Sequence, residues 1–212
     1  MKVNLQNVLP EQIEKRSFEI IRQELGDIKL DPAQEPVIMR VIHTTADFDY
    51  VSNLAFSPNA VSKGIEALKK GAAIVTDTQM ARAGINKNAL EALGGEALCF
   101  MSDKDTAEAA KANGTTRATA SMDKAASLEK PVIFAIGNAP TALVRIYELV
   151  REGRLKPELI IGVPVGFVNV VESKELIMEL DIPCIVARGR KGGSNVAAAI
   201  CNALLYQCVP RD

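Results

Sequence analysis

Histidine is almost missing from this chain: His43 is the only one in 212 residues. Tryptophan is absent and aromatic residues amount to 4%, too few for the stacking platforms that bind single-stranded nucleic acid. Neither sign of charge forms a block. The 25 basic and 26 acidic residues leave a net charge of −1, without the basic stripe of a nucleic-acid binder. No apolar run reaches the length of about 18 residues that suggests a membrane span. Residues 1–7 (MKVNLQN) lack the apolar core of a signal peptide, so a cytoplasmic protein is expected. The four cysteines, Cys99, Cys184, Cys201 and Cys208, form no Cys-x-x-Cys pair. With one histidine they offer no zinc ligand set, and reduced buried thiols are expected instead.

The chain is 48% hydrophobic, enough for a sizeable core, and one domain over residues 1–212 is the expectation. Pro10 to Leu25 has amphipathic helical spacing, stopped by Gly26. Pro36 to Ala46 reads as a second helix, because Val37, Ile38, Val41 and Ile42 recur at helical intervals behind a proline. Ser57-Pro58 reads as the start of a helix that runs to about Lys70. Beyond Gly71 short apolar runs alternate with helical ones. The strand segments are Ala72–Thr76, Ala97–Met101, Pro131–Ile136, Leu159–Val163 and Pro183–Ala187. Their continuous Val, Ile and Ala content is that of strands buried on both faces. The predicted fold is α/β: a doubly wound, mainly parallel five-stranded sheet with helices on both faces, plus N-terminal helices.

Such sheets bind ligands outside the carboxyl ends of their strands, where helix N-termini offer free N–H groups. Three strand-to-helix turns qualify: Asp77-Thr78-Gln79, Gly137 to Thr141, and Gly189 to Ser194. The last joins glycines, Arg190 and Lys191 to a helix start and suits an anion. It is no Walker A loop, since its lysine precedes the glycine pair, and it does not fit Gly-x-Gly-x-x-Gly. Arg117 stands at another helix start. The segment Arg40 to Tyr50 gathers His43 with Arg40, Thr44, Thr45, Asp47 and Asp49. His43 is the one side chain suited to proton transfer near neutral pH, and on a helix it shares a face with Arg40. These residues indicate acid–base chemistry on a polyanionic substrate, and they do not name a reaction.

Eight stretches, in order, carry a family resemblance. They are Ile13 to Phe18, Arg40 to Tyr50, Asp77 to Met80, Thr116 to Ala118, Ala135 to Leu143, Gly162 to Phe167, Glu172 to Glu175 and Gly189 to Ser194. Through them the chain resembles the precorrin-8X methylmutases of corrin-ring (vitamin B12) biosynthesis along nearly its full length. The resemblance implies a flavodoxin-like sheet and a homodimer with the substrate near the subunit interface. It implies migration of a methyl group between adjacent ring C carbons of precorrin-8, without a redox cofactor. Any cobalt would belong to the substrate, and the cobalt form is the one expected. His43 matches the family's catalytic histidine. Arg16, Arg40, Arg117 and Lys191 would pair with the substrate's carboxylates, while Ser17, Thr45, Asn138 and Ser194 would supply neutral hydrogen bonds. A non-catalytic carrier of the tetrapyrrole intermediate and a nucleotide-binding enzyme using the Gly189 turn remain as alternatives.

Overall fold

In the computed structural model, which describes residues 8–209, the alternation of short apolar runs and helices becomes a layered sheet. Residues 1–7, read above for a signal sequence, lie outside the described part. After one 3-10 turn come α1 (Ile13–Leu25), α2 (Glu35–Thr45), α3 (Tyr50–Asn53), β1 (Leu54–Phe56) and α4 (Ala60–Lys69). They are followed by β2 (Ala73–Thr76), α5 (Gln79–Gly84), α6 (Lys87–Ala92), β3 (Glu96–Leu98), α7 (Lys104–Ala112) and α8 (Arg117–Ala125). The last third holds β4 (Val132–Ile136), α9 (Pro140–Arg151), β5 (Leu159–Gly162), α10 (Val170–Met178), β6 (Cys184–Ala187) and α11 (Ser194–Leu205). None of the helices among the described residues is long and apolar enough to cross a membrane.

Among the described residues the sheet has six strands in the order β1-β6-β5-β4-β2-β3, and β1 runs antiparallel to β6. The other neighbours are parallel. The expectation of five strands is therefore corrected to a mixed sheet of six. The sixth, Leu54–Phe56, is three residues long, below the length at which a period can register in sequence. Its register is set by the edge of β6, with Leu54 opposite Ala187 and Phe56 opposite Ile185. The same edge moves the start of α4. The Ser57 hydroxyl accepts the Cys184 N–H at 2.8 Å instead of capping the helix, and Asn59, with φ 60°, stands before Ala60.

Alternation within each strand divides the core. Ile133 and Ala135 of β4, with Ile161 and Ile185, face the layer that includes α2, α4 and α11. Val132, Phe134 and Ile136, with Ile160 and Val186, face α8, α9 and α10. Every residue of β2, β4, β5 and β6 is buried, the pattern of a sheet covered on both sides. In α2, Val37, Ile38, Val41 and Ile42 are all buried, as their spacing requires, and His43 is left exposed on the opposite side.

Candidate active site

The turns that follow the neighbouring strands β2 and β4 meet at a buried carboxylate. Asp77, 1% exposed, follows β2. Its Oδ1 accepts the Gly137 N–H at 2.9 Å, and its Oδ2 accepts those of Asn138, at 2.8 Å, and Ala139. Burial pushes the carboxyl above its ordinary value while the N–H groups pull the other way. These amides lead into α9, so the positive end of that helix already holds an anion from its own chain. The Asn138 side chain is left exposed. A Cβ on Gly137 would stand 2.7 Å from the Ser194 Cα, so glycine is what lets the β4 turn touch the start of α11. Thr78 Oγ1 and Ser194 Oγ, 2.7 Å apart, tie the β2 turn to the same point. Thr116 Oγ1 lies 3.1 Å from Thr141 Oγ1 and brings the start of α8, with exposed Arg117, beside the start of α9.

The glycine-rich turn is held on two sides. Gly193 N–H donates to the Val163 carbonyl at 2.8 Å, and a Cβ on Gly192 would fall 2.1 Å from that same oxygen. On the other side Lys174, fully buried in α10, donates from Nζ to the carbonyls of Gly189 at 2.8 Å and Lys191 at 2.9 Å. Burial pulls the Lys174 ammonium down to about 8. Lys191 then reaches out of the turn. Its Nζ lies 2.6 Å from Oδ2 of Asp47 and 2.6 Å from Oδ2 of Asp49. Hydrogen bonding to this ammonium holds the Asp47 carboxyl below the usual carboxylate range, and the Lys191 pKa rises in return.

His43 stands two residues before the end of α2. It lines a cleft of about 400 Å³ with Ser17, Ile20, Ile42, Ala46 and Phe48. A larger cleft of about 870 Å³ runs between α1 and α2 past Phe18, Arg22, Glu35 and Arg40. The two meet at the rings of Phe18 and His43, whose centroids are 5.2 Å apart. Arg40 is the pivot of this helix pair. Its guanidinium lies 4.8 Å from the Phe18 centroid and 5.3 Å from that of Tyr206, and it pairs with Glu14. Ser17 donates its hydroxyl to the Ile13 carbonyl at 2.9 Å, and Arg16 pairs with Glu19 at 3.2 Å. Thr45 donates to the Val41 carbonyl and accepts the Asp47 N–H.

The residues singled out in the sequence thus fall into two groups. Asn138, Ser194 and Arg117 gather around the strand ends, and Ser17, Arg16, Arg40 and His43 gather on the α1–α2 pair. Thr45 and Lys191 join them, because the segment that begins at His43 ends at the aspartates that Lys191 grips. Asp77, Lys174 and Phe18 take parts that sequence reasoning did not give them. Lys174 had a signal: Val170, Ser173, Lys174 and Ile177, the buried residues of α10, follow i, i+3, i+4, i+7 spacing. A lysine on the apolar stripe of a helix needs carbonyls to meet it.

Chemically the site offers one imidazole, several cations and no activated nucleophile. Burial pushes the Cys201 thiol up to about 12 and raises that of Cys184. Among the described residues no cluster of histidine, cysteine and carboxylate could hold a metal ion. The family model described as precorrin-8X methylmutase matches residues 12–207. Several curated relatives carry the name cobalt-precorrin-8 methylmutase. That of Priestia megaterium is 48% identical, over 93% of this chain and 88% of its own. That of Leptospira interrogans is 47% identical, over 93% of both. The solved precorrin-8x methyl mutase of Thermus thermophilus superposes with a TM-score of 0.84 at 38% identity, covering 93% of this chain and 97% of its own. The family match over residues 12–207, with relatives nearly half identical over more than nine tenths of the chain, places it in one family: it belongs to the precorrin-8X methylmutases.

Proposed function

We propose that this chain is an isomerase of vitamin B12 biosynthesis. It moves a methyl group between adjacent ring C carbons of cobalt-precorrin-8, giving the cobalt form of cobyrinic acid, with His43 as general acid and base. One observation carries the role of His43: the sole imidazole of the chain stands exposed on the wall of a cleft, its ring set against Phe18. The names of the relatives support the cobalt-bearing substrate over the metal-free one. Any cobalt arrives with the substrate.

The migration needs no external nucleophile. Protonation of the conjugated macrocycle by the His43 imidazolium draws electron density from the ring. The methyl carbon then leaves one ring carbon and bonds to its neighbour, and the neutral imidazole takes the proton back, so the composition is unchanged. General acid–base help of this kind is worth about 10²–10⁴-fold. Arg16, Arg40 and Arg117 supply the positive field for the acetate and propionate groups, and Ser17, Thr45, Asn138 and Ser194 contribute neutral hydrogen-bonding groups, Ser17 and Thr45 through hydroxyls whose own hydrogens are held by the Ile13 and Val41 carbonyls. Lys191 belongs to the same site through the aspartates that it holds.

The whole of residues 1–212 works as one cytoplasmic methylmutase domain, a reading supported by the family match over residues 12–207. The order β3-β2-β4-β5-β6 of the parallel strands supports the flavodoxin-like assignment, with β1 as an added edge. Two copies pair to close the site. A corrinoid is larger than the His43 cleft, and the exposed Met80, Val165, Phe167 and Val168 near the strand ends offer apolar surface for a second subunit.

The test is the visible spectrum of the purified protein incubated anaerobically with cobalt-precorrin-8 and, separately, with the metal-free compound. Conversion that is lost in His43→Ala, with binding retained, is expected. A spectral shift without product would favour the carrier reading. Conversion by His43→Ala at the wild-type rate would remove the acid–base role.

A further inference from the structure

A buried lysine that meets only carbonyls is an expensive way to fill a core position. Leucine or methionine would occupy the volume of Lys174 without taking an ammonium out of water. What the ammonium does that they could not is join the carbonyls of Gly189 and Lys191, two residues apart, by charge-assisted hydrogen bonds at 2.8 and 2.9 Å. With the Gly193 N–H bound to Val163, the backbone of the turn is fixed from two sides, and the direction of the Lys191 side chain is fixed with it.

The segment that Lys191 reaches needs an outside hold. Ala46, three residues after His43, has φ 53° and ψ 29°, a left-handed conformation disfavoured for residues with a Cβ. Its N–H closes α2 on the Ile42 carbonyl at 2.7 Å. The chain then turns sharply, with Asp47 N–H on Thr45 Oγ1 at 3.2 Å and Asp49 N–H on Asp47 Oδ1 at 3.0 Å. Both aspartates end on the one ammonium of Lys191. That ammonium is thus committed to protein carboxylates at the point where a substrate carboxylate would otherwise seek it.

We propose that Lys174 and Lys191 form a positioning strut: Lys174 sets the Gly189–Ser194 turn, and Lys191, through Asp47 and Asp49, sets the end of α2 and so the placement of His43. On this assignment Lys191 is a positioning residue and makes no contact with substrate. The inference deepens the proposed methylmutase function and rests on it for its kinetic consequence, but its structural half can be read without any substrate.

Two measurements test it together. In the first, backbone hydrogen exchange is followed in the substrate-free protein for wild type, Lys191→Met and Lys174→Met. Faster exchange at the amides of Ala46, Asp47 and Asp49 is expected in both variants. Unchanged exchange in Lys191→Met, a surface substitution that leaves the core intact, overturns the strut whatever the enzyme acts on.

The second is turnover of cobalt-precorrin-8 by Lys191→Met, Lys191→Arg and the double variant Asp47→Asn with Asp49→Asn. The strut predicts that Lys191→Met and the double variant both lose kcat by about 10- to 100-fold, the scale of a small misplacement of a catalytic group. It also predicts little change in KM and partial rescue by arginine, which can span two carboxylates. A substrate-binding lysine predicts the reverse: raised KM in Lys191→Met, and lowered KM in the double variant, whose Lys191 is freed for the substrate. Seeing that reverse pattern overturns the proposal. Inactive wild type with altered exchange in the variants would instead retire the methylmutase reading and leave the strut standing.

Discussion

Asp77 provides the most direct test of how the strand-end turns are held. Its two oxygens take three backbone N–H groups, one on Oδ1 and two on Oδ2. Asp77→Asn keeps the shape but replaces one accepting oxygen with an NH₂ group. In the better orientation the remaining oxygen serves Asn138 and Ala139, and the Gly137 N–H faces a donor. One unsatisfied buried donor costs about 1–3 kcal/mol, and loss of charge assistance from the other two removes about 1 kcal/mol more each. Relief of the buried charge, visible in the raised carboxyl pKa, offsets part of this. A net loss of about 2–4 kcal/mol is expected for Asn, and more for Asp77→Ala, which strands all three amides. A domain of this size tolerates that loss and still folds. Equilibrium unfolding in urea, with the slope m unchanged and the midpoint lowered, is the assay. An Asn variant within about 0.5 kcal/mol of wild type, the range of an ordinary surface change, would refute the view that this carboxylate organises the turns.

Other outcomes follow from the same geometry. Ala46→Gly removes a Cβ from a residue with φ 53°; thermal unfolding should show a gain of about 0.5–1 kcal/mol, relief of left-handed strain exceeding the added freedom of the unfolded chain. For Lys174 the folded pKa, about 8, lies below the ordinary 10.5. Across that window the unfolded chain holds the extra proton, so the stability of wild type relative to Lys174→Met should rise with pH from about 8 to 10.5, by up to about 3 kcal/mol, in denaturant titrations at several pH values. Arg117→Ala alters an exposed side chain. Stability should stay within about 0.5 kcal/mol, while KM for the corrinoid rises about fivefold at low salt, the loss of one exposed charge-assisted contact.

Much of the fold was legible because the signals are long or doubled. Each strand buried on both faces reads as a continuous apolar run, and α2 has four apolar residues at one spacing with a proline near its start. What escaped was short and set by tertiary contact. Leu54–Phe56 is a strand only because β6 offers an open edge. Tyr50–Asn53 and Gln79–Gly84 are helices of one or two turns, too brief for a period to show. Ser57 carries a helix-capping signature, yet its hydroxyl is taken by the Cys184 N–H; a local preference yielded to a partner 127 positions away.

The candidate site was legible in its residue types and not in its wiring. Residue type alone singled out His43, Arg117, Asn138 and the Gly189–Ser194 turn, because each carries a rare group or stands where a strand gives way to a helix. Type alone could not say which cations are spoken for. Lys191 looks like an anion ligand in sequence, yet it is held by aspartates more than 140 residues earlier. Arg40 looks like a free cation and lies between two rings and Glu14. Asp77, by contrast, looks like a loop carboxylate and is buried to its last oxygen. The physical reason is common to all of them. A charge drawn partly out of water lowers its free energy by finding an opposite charge or an amide, and the fold, rather than the neighbouring sequence, decides which one comes within reach. A cation left exposed at the strand ends, as Arg117 is, is therefore the better candidate for a carboxylate of the substrate than one the protein has already neutralised.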